Sequence, residues 1–419
     1  MIRKIVSSVT AGCVVLFFVQ TVLAYPIDGY PETGIRRLER LRLISARQLS
    51  GPMPVSGALK SISDIKLNLT GSAGEALNPL PPVDKTLQER IDALFPNRDA
   101  SYSLALLDIT PGRPARLALR QPERQFSPGS VGKLAIAAGL FSELQTLYPD
   151  DVVRRQELLR SRMVVADRWI HKDHHTVPVY DPHSRAFASR PIGEGDTFSL
   201  YEWADHILSA SANAAASIVW KEVILMRALG SEYPPTRERE QRFFEKTPRA
   251  VLRDLAVSTV NDPLRRIGIQ PKDWFLGSFF TSTGKKIVPG GGESVGTPLG
   301  LLQFLVAMEQ GYIVDEWSSL EIKRLMYMTA KRIRFASSPA LNNAAVYFKS
   351  GSLYRCKPEP GFTCGKYLGN VDNYMNSVAI IEQPDGRIYL VALMSNVLRK
   401  NSAVDHQSLA TFIDRILLP

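Results

Sequence analysis

Residues 126–138 combine a hydroxyl nucleophile and an amine at helical spacing. They read Phe-Ser-Pro-Gly-Ser-Val-Gly-Lys-Leu-Ala-Ile-Ala-Ala, a proline–glycine loop that leads into a small-residue apolar helix. Ser130 and Lys133 are three residues apart, so both side chains lie on one face of that helix. The amine could take the serine proton, and free N–H groups at the helix start could stabilise negative charge. The pattern predicts a nucleophilic serine, although Ser-x-x-Lys alone is common by chance.

Two other motifs compete for the same segment. Residues 128–132 nearly match the Gly-x-Ser-x-Gly nucleophile elbow, but the first position is proline, and no strand is predicted at residues 120–127 to lead into the serine. The Gly-Lys pair is also found in phosphate loops, but Ser127 occupies the first glycine position and Leu134 replaces the hydroxyl residue. Neither motif is matched in full.

Two further short motifs follow along the chain. Residues 211–213, Ser-Ala-Asn, place a hydroxyl and an amide two positions apart within a helical stretch, and residues 349–352, Lys-Ser-Gly-Ser, place a cation, a hydroxyl and a glycine on a strand. Each motif alone has an ordinary explanation, as cap or turn residues for the first and as a solvated strand-end charge for the second. Their order, spacing and element types argue against three coincidences.

Together the three motifs resemble the signature of the serine β-lactamase and penicillin-binding protein superfamily, which is Ser-x-x-Lys, Ser-x-Asn and Lys-Thr/Ser-Gly in that order. The resemblance is to class A β-lactamases in particular and covers residues 85–419. It includes Thr-Phe-Ser-Leu at 197–200, which leads a helix towards Ser211, the Thr-Pro pair at 297–298 that opens another helix, and a strand–turn–strand at 377–397 before a closing helix.

The resemblance implies a catalytic role for four residues. Ser130 would be the acylated nucleophile, and Lys133 would accept its proton directly or through water. Ser211 would relay a proton to the leaving nitrogen, and Asn213 would hold Lys133 and the substrate amide.

The resemblance also implies a substrate-binding strand. Lys349 and Ser350 would hold the substrate carboxylate, and Lys349 would lower the cost of charge near the relay serine. The backbone N–H groups of Ser130 and Ser352 would form the oxyanion hole. Gly351 would keep the strand surface open, so that substrate can lie along it as an added strand.

One feature of class A β-lactamases is missing from the sequence. These enzymes carry a glutamate and an asparagine in a loop shortly before the Thr-Pro helix, and the glutamate activates the deacylating water. Residues 279–294 contain no Glu-x-x-Leu-Asn pattern, and their one acid, Glu293, lies too close to the helix for the usual spacing. Acylation is therefore expected, whereas efficient β-lactam turnover is in doubt.

The elements that must position these residues follow from hydrophobic periodicity. Strands are predicted at 101–109, 115–119, 344–350, 377–383 and 387–395, and helices at 85–95, 134–147, most of 199–229, two or more within 297–329, and 403–417. Strands from both ends of the chain that share one sheet imply an α/β sandwich with an inserted helical lobe.

With the resemblance, the expected fold class is α/β, a β-lactamase/transpeptidase-like two-lobed domain. An antiparallel five-stranded sheet flanked by helices is expected from residues 85–125 and 340–419. An all-helical lobe is expected from residues 126–339.

The first 24 residues have the pattern of a secretory signal peptide. A short basic start precedes an uncharged, mostly apolar run from Ile5 to Ala24, which ends in small-residue cleavage style before Tyr25. The alternative is a membrane anchor, since the run is long enough to span. A faint lipoprotein box at residues 10–13 has too little apolar sequence before it. Cleavage near Ala24 and a periplasmic or secreted location are expected.

Residues 25–84 are predicted to be an accessory arm and linker. Residues 35–43 are rich in arginine and have the apolar spacing of a short amphipathic helix, and residues 78–82, Asn-Pro-Leu-Pro-Pro, form a stiff end to the segment. The arginines are interpreted either as a solvated helix face or as a contact to an anionic envelope surface.

Cleavage near Ala24 would remove Cys13 and leave Cys356 and Cys364, eight residues apart. An even pair in an exported protein predicts a local disulfide, because a metal site would need more ligands nearby.

A second metal candidate is the stretch 171–183, which holds four of the six histidines and two aspartates; its alternatives are an exposed loop or a wall of the substrate groove. Neither a metal nor a cofactor is expected.

Composition bounds the possible partners. The 419-residue chain has 45% hydrophobic and 22% charged residues, which excludes a disordered or collagenous chain, and its net charge of +10 falls to +8 without Arg3 and Lys4. Nucleic-acid motifs are absent, so the charge favours an envelope setting and a carboxylate-bearing substrate, either a small molecule or derived from peptidoglycan. A monomer is expected.

The predicted activity is that of a serine acyl-hydrolase, and the alternatives are a D,D-peptidase, an esterase or amidase with another substrate, or a slowly deacylating penicillin-binding-like envelope protein.

Overall fold

The computed structural model describes residues 24–418, so the predicted leader, except Ala24, lies outside the described residues. The α-helices are α1 (Tyr30–Thr33), α2 (Arg36–Ser45), α3 (Ser72–Glu75), α4 (Lys85–Asp92), α5 (Lys133–Leu147), α6 (Val152–Ser161), α7 (Leu200–Leu208), α8 (Asn213–Leu229), α9 (Arg237–Lys246), α10 (Arg249–Arg266), α11 (Ser282–Ile287), α12 (Pro298–Glu309), α13 (Glu316–Met326) and α14 (Ala403–Ile416). The strands are β1 (Ser103–Asp108), β2 (Arg116–Arg120), β3 (Met163–Val165), β4 (Thr176–Tyr180), β5 (Phe187–Pro191), β6 (Thr197–Ser199), β7 (Trp274–Phe275), β8 (Val295–Gly296), β9 (Ala345–Arg355), β10 (Asp372–Glu382) and β11 (Ile388–Asn396).

A five-stranded antiparallel sheet joins the two ends of the described chain. Its strand order is β2-β1-β11-β10-β9, so β1 pairs with β11, and β9 forms one edge. This confirms the predicted five-stranded antiparallel sheet. The hairpin between β10 and β11 turns at Gly386, whose φ of 89° suits glycine in the predicted Pro-Asp-Gly turn.

Both faces of the sheet are covered, and alternate residues of each strand serve opposite faces. In β1, Leu104 and Leu106 belong to the hydrophobic cluster that includes the apolar residues of α4 and α14. Ala105 and Leu107 point the other way, into the cluster built with α5, α8 and α12. Because both faces are buried, the strands have nearly continuous apolar sequences.

The helical lobe is built around α5, which packs against α8 and α10. Twelve of the residues in α5 are buried, which explains its small and apolar sequence. The predicted helical stretch 199–229 forms α7 and α8, interrupted by residues 209–212. The lobe is not all-helical, as was expected, because it also carries three two-stranded sheets, β3-β6, β4-β5 and β7-β8.

The arginine-rich part of the arm forms α2, close to the predicted helix. Arg37 is buried, and its Nε donates to Asp205 of α7 at 2.6 Å; Arg36 pairs with Glu202 of the same helix at 2.8 Å. Further along the arm, Lys60 Nζ lies 2.6 Å from Glu382 of β10. The arm therefore contacts both the helical lobe and the sheet.

Two further features bear on the protein's setting. Cys356 and Cys364 form a disulfide, as the sequence predicted. Between residues 24 and 418, no helix is long and apolar enough to cross a membrane.

Candidate active site

Ser130 lies in a 3₁₀ turn, Gly129–Gly132, that runs directly into α5. Lys133 is the first residue of α5, and its Nζ is 3.0 Å from Ser130 Oγ. The serine is half-buried, whereas the lysine side chain is fully buried. The amine therefore contacts the hydroxyl from the protein interior, while the serine remains partly accessible to solvent.

The Ser-Ala-Asn motif stands at the start of α8, opposite Lys133. Asn213 Oδ1 lies 2.7 Å from Lys133 Nζ, and Ser211 contacts the same amine through its carbonyl oxygen and, at 3.4 Å, through Oγ. Ser211 has a φ of 57°, uncommon for a non-glycine residue. This left-handed residue lies in the break between α7 and α8, so strained backbone and polar contacts occur together here.

Lys349 of β9 completes the cluster from the sheet. Its Nζ is 2.8 Å from Ser211 Oγ and 2.9 Å from the Ser350 carbonyl oxygen. The structure thus links Ser130, Lys133, Ser211 and Lys349 by hydrogen bonds, although they come from three separate parts of the chain.

The two lysines are less basic than ordinary lysines. Burial lowers the pKa of Lys133 to about 7, and the negative charge of Asp173 opposes that shift. Burial, together with the charges of Lys133 and Arg334, lowers the pKa of Lys349 well below its usual range. A pKa near 7 leaves part of the Lys133 population neutral at physiological pH, as a proton acceptor requires.

Gly351 allows β9 to pass against the turn that carries Ser130. A Cβ on Gly351 would lie 2.1 Å from the Pro128 carbonyl oxygen and 3.1 Å from the Ser130 nitrogen. A Cβ on Gly129 would lie 2.7 Å from the Ser352 nitrogen. The backbones of Ser130 and Ser352, which were predicted to supply the oxyanion hole, therefore lie against each other.

The sequence patterns missed two residues beside β9, the strand predicted to bind substrate. Arg334 is buried, and its guanidinium donates to the Gly351 carbonyl oxygen at 2.7 Å and to Ser352 Oγ at 3.1 Å. Tyr367 places its ring 5.1 Å from Arg334 Cζ. Neither belongs to a motif, although an arginine and a tyrosine near a disulfide-closed loop could have been flagged as carboxylate-binding candidates.

The side of Lys133 that faces residues 279–294 is apolar. The ring centre of Phe280 lies 4.8 Å from Lys133 Nζ. The sequence already showed that this segment contains Glu293 as its one acid. This segment therefore presents an aromatic ring to the lysine, whereas class A β-lactamases carry a glutamate in the loop before the Thr-Pro helix.

The histidines of the stretch 171–183 serve separate contacts. His171 pairs with Glu194, His175 pairs with Asp173, and the His183 backbone N–H donates to Asp181. Within the described part of the chain, no three histidine, cysteine, aspartate or glutamate side chains come together as metal ligands would.

Comparison with known proteins places this fold and site in context. No protein-family model and no curated protein sequence matches the chain. Among solved structures, the chain is similar to a class A β-lactamase from Bacteroides cellulosilyticus DSM 14838, with 16% identity and a TM-score of 0.52 over 80% of this chain and 97% of that one.

Two further structures are similar over the same extent. The TLA-3 extended-spectrum β-lactamase has 13% identity and a TM-score of 0.52 over 80% of this chain and 99% of its own. A β-lactamase from Chitinophaga pinensis DSM 2588 has 14% identity and a TM-score of 0.50 over 79% and 98%.

These likenesses confirm the β-lactamase/transpeptidase-like fold that the motifs implied. At 13–16% identity, the likeness is one of fold.

Proposed function

We propose that the chain is an exported serine acyl-hydrolase that forms an acyl intermediate on Ser130. The observation that carries this proposal is the connected set of short contacts from Ser130 Oγ to Lys133 Nζ, from Lys133 to Ser211 and Asn213, and from Ser211 Oγ to Lys349 Nζ. A nucleophile, a proton acceptor of pKa about 7 and a proton relay in mutual reach are the parts that acyl transfer needs.

The proposed reaction has two steps. Ser130 Oγ attacks the amide carbonyl carbon and its proton passes to Lys133. The C–N bond then breaks as Ser211 gives its proton to the leaving nitrogen and takes up the proton held by Lys133, which leaves the lysine neutral again. Water hydrolyses the resulting ester and restores Ser130. The N–H groups of Ser130 and Ser352 would hold the carbonyl oxygen, and loss of one such donor typically costs about 3 kcal/mol of transition-state stabilisation.

The proposed substrate is an amide that carries a carboxylate, either a β-lactam or a D-alanyl-D-alanine-like peptide. Lys349 and Ser350 would bind the carboxylate, and the buried Arg334 would add positive charge at the same end. The chain would act in the periplasm or outside the cell, after cleavage near Ala24.

A second candidate function is a D,D-peptidase or penicillin-binding-like protein that releases its acyl group slowly. The position of Phe280 over Lys133 favours it, because a water molecule on that side would have an aromatic ring instead of a carboxylate base as its neighbour. The two candidates share the acylation step and differ in the lifetime of the adduct.

Incubation with a fluorescent penicillin tests both candidates. The wild-type protein should gain one covalent adduct, located on Ser130 by peptide mass spectrometry, and Ser130→Ala should gain none. Ser63→Ala, an exposed serine of the arm, is the matched control and should label like the wild type. A transient adduct with accumulating product supports a β-lactamase, and a persistent adduct supports the slow alternative. A folded wild-type protein that stays unlabelled would reject the β-lactam part of the proposal.

A further inference from the structure

A carboxylate from the inserted segment between α6 and α7 holds the start of α8. The N-cap of α8 is Ala212, which has no side-chain acceptor. In its place, Asp173 Oδ2 accepts the N–H of Ala214 at 2.8 Å. The neighbouring residue, Asn213, is the one whose Oδ1 lies 2.7 Å from Lys133 Nζ. Asp173 thus contacts the residue that follows Asn213, whose side chain holds the lysine.

The Asp173 carboxylate is largely shielded from solvent and is held from its other side by His175. The Asp173 side chain is only 6% exposed, and its Oδ1 accepts the His175 backbone N–H at 3.1 Å and contacts His175 Nδ1 at 2.6 Å. Burial raises the pKa of Asp173, but the hydrogen bonds and charge of His175 and the Ala214 N–H outweigh it, so the pKa lies below its usual range. The carboxylate is therefore ionised at neutral pH.

The inserted segment packs against the stretch that carries Phe280. Thr281 Oγ1 donates to the Trp169 carbonyl oxygen at 2.7 Å. Ser282 Oγ lies 3.4 Å from the His171 carbonyl oxygen. One part of this junction presents the Phe280 ring to Lys133, and another part brings the charge of Asp173 to bear on the same lysine. The acidic group whose charge acts on the lysine thus comes from the inserted segment.

We propose that Asp173 is a positioning residue for acylation: its carboxylate fixes the first turn of α8, and with it Asn213, and acts as the acidic partner of Lys133. This inference rests on the proposed acyl transfer to Ser130. It assigns a function to part of the histidine-rich stretch that the sequence left unexplained.

The charges around the lysine define what a test must separate. Asp173 is the negative group that bears on Lys133, and His175 is the titratable group that faces Asp173. From the sheet, Lys349 approaches through Ser211, and burial and the charges of Lys133 and Arg334 lower its pKa. An anionic Asp173 favours the ammonium form of Lys133, so its removal must lower the pKa of that lysine.

The experiment measures the second-order rate constant of acylation by a fluorescent penicillin between about pH 5 and pH 9, on both sides of the Lys133 pKa of about 7. Asp173→Asn keeps an acceptor for the Ala214 N–H and removes the charge. The acidic limb of its pH–rate profile, where the rate constant falls as Lys133 is protonated, should lie at lower pH than that of the wild type. A helix cap without an electrostatic role would leave the limb in place, because asparagine also caps.

Asp173→Ala removes both the charge and the acceptor. Its limb should move in the same direction, and its plateau rate should fall by about ten- to a hundredfold because Asn213 is no longer held in place. His174→Gln, at the exposed neighbouring position, is the matched control and should keep the wild-type profile.

His175→Ala keeps the charge and removes the side-chain partner of Asp173, so its plateau should fall without movement of the limb. If the Asp173 variants no longer unfold cooperatively on heating, and so are not folded, His175→Ala replaces them in the test. Wild-type limbs in Asp173→Asn, or a wild-type plateau in both Asp173→Ala and His175→Ala, would overturn the inference. Failure of the proposed function is distinct, because the wild-type protein itself would then remain unlabelled.

Discussion

At the scale of single residues, the site depends on how closely two backbones approach. β9 passes the turn at Ser130 so tightly that Gly351 faces the Pro128 carbonyl oxygen, where a Cβ would stand 2.1 Å away. A backbone carbonyl cannot swing aside as a flexible side chain can, so the strand or the turn would have to move. Both carry groups of the proposed oxyanion hole, and a shift of about 1 Å is enough to slow an acyl transfer strongly.

We therefore predict that Gly351→Ala abolishes penicillin labelling of Ser130 and lowers the free energy of unfolding by about 1–3 kcal/mol, the usual cost of overpacking. Labelling and urea unfolding measured on the same sample give the two values. Gly193→Ala is the control, because its Cβ would meet nothing closer than Asp196 Oδ2 at 3.8 Å. Wild-type labelling in Gly351→Ala would mean that the contact is relieved without cost to the site.

At the scale of elements, the hydrophobic patterns predicted which segments form the sheet better than they predicted the lengths of its strands. The prediction ended one strand at residue 350 and began the next at residue 377, whereas β9 runs to Arg355 and β10 starts at Asp372. The outer residues are polar or exposed, such as Leu353 and Tyr354 at 41% exposure, so they lack the apolar alternation that marks a half-buried strand. Pairing with each other, together with the disulfide beyond them, extends the two strands.

The groups around Lys133 show a second limit of prediction from sequence. Ser130 and Lys133 lie within one helical turn, so a short sequence motif identifies them. Asp173, Phe280 and Arg334 instead reach the site from distant segments. No spacing rule connects such residues, because tertiary packing alone brings them together. The three motifs could therefore be predicted, and the groups that set the lysine's charge and surroundings could not.

The disulfide-closed loop between β9 and β10 leads to an element-scale prediction. Tyr367, three residues beyond Cys364 in the connection between these strands, lies beside Ser352 and Arg334. The double variant Cys356→Ser/Cys364→Ser should weaken penicillin binding about two- to tenfold, the equivalent of one hydrogen bond, as Tyr367 loosens. The concentration dependence of labelling measures this change.

Global stability should change less in that double variant, by at most about 2–3 kcal/mol, because the bridge closes only a short loop. Asn370 and Lys357 also remain hydrogen-bonded across the loop at 2.8 Å. Tyr367→Phe is the companion variant and should reproduce the binding loss with the disulfide intact. Unchanged binding in both variants would remove the loop from the substrate site.

At the scale of the whole molecule, the arm is held to the body by buried charge as well as by apolar contacts. Ile35 and Leu38 are fully buried in the same cluster as α5 and α8. Between them, Arg37 pairs with Asp205, and both side chains are almost inaccessible to solvent. A buried pair adds little net stability compared with apolar residues, but loss of one partner leaves an unpaired buried charge. The pair therefore makes folding of the lobe depend on correct docking of the arm.

Arg37→Met should consequently destabilise the protein by about 3–5 kcal/mol at neutral pH. The loss should be smaller at acidic pH: burial already raises the pKa of Asp205, and without Arg37 the carboxyl can take up a proton and lose its charge. Urea unfolding followed by tryptophan fluorescence measures both values, since all five tryptophans lie outside the arm. Arg42→Ala breaks an exposed pair with Glu39 and should cost less than about 1 kcal/mol. Equal losses in the two variants, or a larger loss at acidic pH, would show that Asp205 is not left as an unpaired charge.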